Sequence, residues 1–519
     1  MTNHTVSQSV PIVGKTNELT VTLPTNWQLE AHDTLAISIT GLNCTAQPAG
    51  ALQLGTPVDS FVRGVFCYQG EPDVVEFQVA GSGEGVVRLE FCPNKVLPAE
   101  HPHLFSIQVL NGLAPQAAPS VAIVHVAATG GVALAPVPAV SVDVTGGLTG
   151  AAAPIRGVPG GCAPLLLIVP RFKVRGMSQS NPVVSGTNVL TVSLRSNVDV
   201  LSSDGAIINI THLVGASAVS PIDVDRVAGG NGADLLFCAG SQVSAAGWVA
   251  DSGQGARVEL SLCPYGHLRA ETDYAFSITV TNPPAEQLVP PTVMIGATEG
   301  WLKFATEAMT ASSNAARGLP SGATPLKIVR SRFLVAKAGQ TNPAAGMSNV
   351  ISLTLTPNVD ITAAERCAIT FTGIPTQAQY PAQQSTRISL LPGVPGNRND
   401  GRNRILGLLS PLPPPATAVD AGNWDAREGI LTFFVAYGKK WSGNLQYIIS
   451  FEINNRDTAV GTSDIRVEAS ANMPFPVTSM LQPFESAGGV ANGANAFFVS
   501  RPEFVVRSFW QATPEAAAE

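Results

Sequence analysis

The residues of this chain that could do chemistry are its seven histidines and seven cysteines. The histidines (His4, His32, His101, His103, His125, His212 and His267) are scattered, and His101-Pro-His103 is their one close pair. No HExxH, GxSxG or phosphate-loop spacing accompanies them, and no pair of carboxylates recurs where a general acid and base would cooperate. Asp223, Asp225 and Asp234 flank a GGNG stretch and gather oxygen ligands, but without the spacing of an EF-hand loop. The expectation is a protein with no catalytic residue, no metal and no cofactor beyond covalent sugars.

The cysteines say more. Cys67 and Cys92 lie 25 residues apart, and Cys238 and Cys263 repeat that separation. Two pairs at one spacing predict two disulfides, Cys67–Cys92 and Cys238–Cys263, and with them an oxidising, extracellular or cell-surface setting. No CxxC or nearby histidine supports zinc. Cys44, Cys162 and Cys367 remain, so at least one is free or bonded to another chain. In such a setting the sequons at Asn3, Asn43 and Asn209 are expected to carry N-glycans. The PLPPP run at 411–415 is either a polyproline II stretch, whose Pro413, Pro414 and Pro415 are then candidates for O-linked sugars, or a plain loop.

Charged residues are only 13% of 519 positions and the net charge is -7, so glycans would supply solubility that charge does not. The same balance, with no basic block, argues against a nucleic-acid partner. The longest apolar run, residues 164–170, is far too short to span a bilayer.

A repeat positions all of these residues. VSQSVP at 6–11, MSQSNP at 177–182 and AGQTNP at 338–343 align on Gln8, Gln179 and Gln340. Eleven residues after each glutamine begins an alternating run (LTVTL, LTVSL, ISLTL), and three residues past each run stands Asn26, Asn197 or Asn358. Copies one and two stay in phase through both cysteine pairs, whereas copy three diverges after Gly373 with an insertion containing PGNRNDGRNR. The period within each copy is two, the mark of half-buried antiparallel strands; only residues 301–316 hint at a helix. The fold expected is all-β: three tandem immunoglobulin-like β-sandwich domains at 1–164, 165–325 and 326–496, each with a linker rich in small residues, and a tail at 497–519.

The two ends of this array differ. An apolar strand, LLLIVPRFKV at 165–174 or LKIVRSRFLV at 326–335, precedes copies two and three, with Phe172 and Phe333 seven residues before the glutamine. Copy one has only seven mostly polar residues ahead of Gln8, and is expected to lack that strand. Residues 497–506, FFVSRPEFVV, supply one, with Phe504 seven residues before Gln511. Phe497, Val499, Phe504 and Val506 are therefore expected to complete copy one of the next chain. A contact of that kind is heterologous and builds an open head-to-tail homopolymer. The competing readings are a fragment of a longer array, a tail folded back on its own copy one, and an adhesive or carbohydrate-binding surface protein using Trp248, Trp301, Trp424 and Trp441.

The FSITVTNP strand at 276–283, the NVD elements at 197–199 and 358–360 and the high Ala, Gly and Pro content carry a resemblance. The chain resembles the Ig-like-repeat glycoproteins that build extracellular filaments of freshwater microbes, including the flagellar hairs (mastigonemes) of green algae. It is similar also to protomers of the glycofibrils of pond-water communities. The resemblance implies a heavily glycosylated, helical, non-enzymatic polymer whose partners are its own copies and its glycans.

Overall fold

The structure, a computed structural model, describes residues 4–25, 28–30, 35–42, 45–55, 61–79, 84–127, 140–141, 154–250, 253, 255–375, 387–391, 408–417, 420–470, 472–504, 506 and 508–510. Among them the chain is all-β, with strands throughout and only three short 3-10 turns. Residues 301–316 form no helix. They contain the strands Phe304–Ala308 and Thr310–Ala311. Alanine-rich spacing fits either state, and here Phe304 is drawn into the sheet by stacking on Phe172 at 4.5 Å.

The alternating runs become the central strands Thr16–Thr25, Thr187–Ser196 and Ser348–Pro357. Each pairs antiparallel on one side with the strand ending at the repeated glutamine. On the other side it pairs with the long strand His101–Leu110, Tyr274–Thr281 or Tyr447–Asn454. In copy three a second sheet, containing Ala368–Thr372, Ile430–Val435 and Arg466–Ser470, faces the first. Leu353, Ile449 and Phe451 from one sheet meet Ile369, Phe433 and Val467 from the other, all 0% exposed and in one core. Burial of each contributes about 1.5–3 kcal/mol before the cost of ordering.

In copies one and two a single strand serves both sheets. Gly50–Gly55 pairs with His101–Leu110 and with Val74–Val79; Ile222–Arg226 joins Tyr274–Thr281 to Ala245–Val249. The crossing strand uses backbone groups that an open edge would leave unpaired. Among the described residues three hydrophobic cores result, one for each copy of the repeat.

The disulfides join the residues their spacing predicted, Cys67 to Cys92 and Cys238 to Cys263. Cys92 and Cys263 stand just past the strands Gly85–Glu90 and Ala256–Leu262, so each bridge ties a strand end to a short strand, Cys67–Tyr68 or Phe237–Ala239. Peptide mapping without reductant should recover these two links, and Cys238→Ser should cost copy two about 3 kcal/mol. A link between Cys67 and Cys238 would contradict the assignment.

Two expectations need correction. Copy one does not lack its first strand: Thr5–Gln8 pairs with Thr16–Thr25 from Thr5↔Thr22 to Gln8↔Leu19. It is four residues long where Phe172–Gln179 and Phe333–Gln340 are eight. A short alternating segment suffices for pairing, and Val6 supplies its core contact at 1% exposure. The Pro411–Pro415 run is not a polyproline II stretch either. A turn closes within it, the Ala416 amide donating to the Pro413 carbonyl at 3.3 Å, whereas polyproline II has no internal hydrogen bonds.

Candidate interface between repeat copies

The repeated glutamines lie at the ends of the first strands and are buried, at 4%, 4% and 8% exposure for Gln8, Gln179 and Gln340. A buried amide must find partners for both its oxygen and its nitrogen. Gln179 Nε2 donates to the carbonyls of Gly322 and Lys327, each at 2.9 Å, while its Oε1 accepts from the Leu326 amide at 2.8 Å. Gln8 makes the same three bonds, to Gly161, Leu166 and Leu165. Gln340 Nε2 donates to Gly493 and Phe498. Each glutamine thus fastens a loop that follows it by about 150 residues in sequence.

Two asparagines complete the network. Asn188 Nδ2 donates to Gln179 Oε1 at 2.9 Å and to Asn282 Oδ1 at 2.8 Å; Asn282 Nδ2 donates to the carbonyls of Asn181 and Val183. Asn17 with Asn111, and Asn349 with Asn455, repeat the arrangement. Sequence reasoning singled out the glutamines without their purpose and missed these asparagines. Their signal was present: Asn17, Asn188 and Asn349 each lie nine residues after the glutamine.

The fastened loop serves two copies at once. Leu165 lies in the core of copy one, Leu326 in that of copy two and Phe497 in that of copy three. Seven residues later the same connector enters the next copy: Phe172 stacks on Phe304, and Phe333 lies 4.8 Å from Phe475. The asparagines after the alternating run hold it there. Asn197 Nδ2 donates to the Val169 carbonyl at 2.9 Å and its Oδ1 accepts from the Arg171 amide at 2.8 Å. Asn358 does the same with Arg330 and Arg332.

This division corrects the expected donor set. Phe497 and Val499 do not wait for another chain; they are 2% and 4% exposed at the end of copy three. Phe504 and Val506 are 83% and 77% exposed. A register shift between Phe172 and Val174, and between Phe333 and Val335, leaves the valines half-buried while the phenylalanines are buried.

Charge completes the internal joints. Arg156 Nη1 lies 2.9 and 2.8 Å from the two carboxylate oxygens of Asp204, and Arg317 pairs with Glu365. The carbonyls of the same arginines accept the amides of Asp199 and Asp360 at 2.8 Å. At the first joint the Arg156 guanidinium also lies 4.7 Å from the centre of the Trp301 ring, with Lys15 Nζ over that ring at 4.9 Å.

The remaining candidates fall elsewhere. Trp248, Trp424 and Trp441 are buried at 7%, 4% and 0% exposure, and Trp301 carries the cations just described, so none presents a bare ring for stacking on a sugar. Asn209 lies within the strand Ile207–Leu213, paired with Glu259 and Gly296, and is half-buried. Asn3, Asn43 and Cys44 lie outside the described residues. Among the described residues no group of three His, Cys, Asp or Glu side chains could hold a metal ion, the Asp223–Asp234 region included. Cys162 and Cys367 are free. Burial pushes the Cys367 thiol up to about 11, so little thiolate forms at pH 8. Iodoacetamide at that pH should leave Cys367 unmodified until the protein is unfolded; native-state labelling at the rate of a free thiol would contradict its burial.

No protein-family model matches the chain, and no curated protein does. Among solved structures it is similar to the C-terminal domain of the Streptococcus agalactiae AgI/II polypeptide BspA, at 8% identity and a TM-score of 0.28 over 60% of this chain and 99% of that one. The C-terminal domain of the Streptococcus pyogenes antigen I/II-family protein AspA gives 8% identity and 0.28 over 60% and 98%. A putative membrane anchored protein from Corynebacterium diphtheriae gives 10% and 0.17 over 92% and 89%. The all-β assignment stands on the strand ladders themselves.

Proposed function

We propose that the chain is a structural, non-enzymatic protomer of an extracellular filament. In this reading residues 1–164, 165–325 and 326–496 are three immunoglobulin-like sandwiches, and the tail after Val499 joins copy one of a second molecule. One contrast carries it. Phe172 and Phe333 are 2% and 6% exposed, whereas Phe504, at the same distance before its glutamine, is 83% exposed. Covering that ring with a further copy is worth about 1.5–3 kcal/mol in apolar burial alone.

Copy one offers a fitting place. Among the described residues its first ladder reaches Thr5↔Thr22, and the ladder of copy two reaches Val174↔Arg195 and Phe172↔Ser196. An added strand there gains main-chain hydrogen bonds, and a head-to-tail contact repeats without closing. The two disulfides fit an oxidising compartment. Glycans at Asn3, Asn43 and Asn209, and on the prolines at 413–415, belong to the same reading, as does the resemblance to freshwater filament glycoproteins.

Deleting residues 502–519 should leave thermal unfolding of the single chain unchanged and abolish filaments in negative-stain micrographs. Filaments of unchanged repeat from the shortened chain would overturn strand donation. A following copy on a longer polypeptide is the other occupant Phe504 could meet, and the intact mass of the native polypeptide separates the two.

A further inference from the structure

The three copies put matching residues at matching ladder positions, and on one face of copy two several of them are exchanged together. Gly247 stands opposite Glu259, where copy one has Glu76 opposite Arg88 and copy three has Asn423 opposite Thr432. Ser261, opposite Ile207, takes the place of Glu90 opposite Ala36 and of Phe434 opposite Ala368. A glycine and a serine thus leave room that larger side chains take in the other copies. A cleft of about 780 Å³ results, lined by Gly247, Glu259 and Ser261 together with Ser202, Ser203 and Tyr265. Clefts of about 300–1,000 Å³ are the size that holds small ligands.

Two of these side chains have no structural task that explains them. Glu259 is half-buried, and Arg257 pairs with its Oε1 through Nε and Nη2, each at 2.8 Å. Its other oxygen, Oε2, lies over Gly247, 3.5 Å from where a Cβ would stand. Tyr265 belongs to the turn that follows the Cys238–Cys263 bridge. There the Gly266 amide donates to the Cys263 carbonyl at 2.7 Å, and the Gly266 carbonyl accepts the Ser202 amide at 3.0 Å. Tyr265 sits at φ 63, a left-handed conformation; Asn94 and Gly438 hold this turn position at φ 60 and 71 in the other copies. Glycine and asparagine adopt it readily, whereas a tyrosine is strained. The tyrosine is 99% exposed, so packing within the chain does not offset that strain. Strain kept at one surface position in this way points to a ligand.

We propose that this cleft of copy two binds a neutral pyranose ring of a carbohydrate. Tyr265 offers a flat apolar face to the C–H side of the sugar. Glu259 Oε2 accepts from sugar hydroxyls in charge-assisted bonds, and the hydroxyls of Ser202, Ser203 and Ser261 can donate or accept as the ring requires. The carboxylate repels acidic sugars and phosphates, and a wholly apolar ligand would strip it of water without replacing the bonds. This site goes beyond the filament reading and does not depend on it.

The test uses the full chain made without glycans and saturation-transfer NMR, with the methyl glycosides of glucose, galactose, mannose and xylose as probes. At least one should bind, in the millimolar range. Tyr265→Ala should weaken it about tenfold, equivalent to about 1.4 kcal/mol, and Tyr265→Phe should restore it. Gly247→Gln, which refills the cleft as Glu76 does in copy one, and Glu259→Gln should each weaken it to a similar degree. Unchanged thermal unfolding serves as the folding control. The same titration on the chain carrying its native glycans tells the source. Weaker uptake means that sugar borne by this protein already fills the cleft; equal uptake means that the sugar comes from another molecule. No transfer from any probe, or binding that survives both Tyr265→Ala and Gly247→Gln, would overturn the site and leave the filament reading untouched.

Discussion

Replacing Asn188 by leucine is expected to destabilise copy two by about 4 kcal/mol, although the volume hardly changes. The Asn188 amide donates to Gln179 Oε1 and Asn282 Oδ1, and its oxygen accepts the amides of Ser180 at 3.2 Å and Asn181 at 3.1 Å. Leucine leaves Asn282 Oδ1 and the Asn181 amide without partners, and takes one of two bonds from Gln179 Oε1 and from the Ser180 amide, which keep the Leu326 amide and the Val189 carbonyl. Each such group costs about 1–3 kcal/mol, less whatever relaxation recovers. The damage should extend to the loop at 322–327, which Gln179 fastens. Hydrogen exchange resolves it: amides of 172–196 and 322–328 should lose protection together, while copy one keeps its own. Asn17→Leu and Asn349→Leu should act alike in the other copies. A loss under about 1 kcal/mol would mean that water reaches the network and that it is not a lock.

One position of the repeat should answer in opposite ways depending on the copy. Phe172→Ala and Phe333→Ala each remove a buried ring packed against Phe304 or Phe475, and should cost about 3–5 kcal/mol in the copy they enter. Phe504→Ala should leave the unfolding of the isolated chain where it was, because the ring is 83% exposed. Under the filament reading it should nonetheless abolish or sharply weaken assembly. Calorimetry of the three variants as free chains, with sedimentation of assembled material, reads both effects. An unfolding loss for Phe504→Ala comparable to that for Phe172→Ala would place the tail on its own chain.

Much of this was legible in the residues. Spacing aligned the glutamines, the alternating runs and both disulfides, because strands of period two and a bridge of fixed reach leave regular marks in a chain. The same alignment placed Phe504 opposite Phe172 and Phe333. Periodicity also misled in one place: residues 301–316 suggested a helix and form strands.

Sequence by itself determined the repeat, the all-β character, the paired cysteines and the position where one copy reaches for the next. Only the tertiary structure decided which copy owns each connector residue: Leu165, Leu326 and Phe497 turn back into the copy before them, and Phe172 and Phe333 go forward. Alternation tells a side chain to leave water but not which of two neighbouring cores receives it. That choice is made by buried amides binding loops about 150 residues away and by arginines reaching across a joint, contacts that exist only after the sheets have closed.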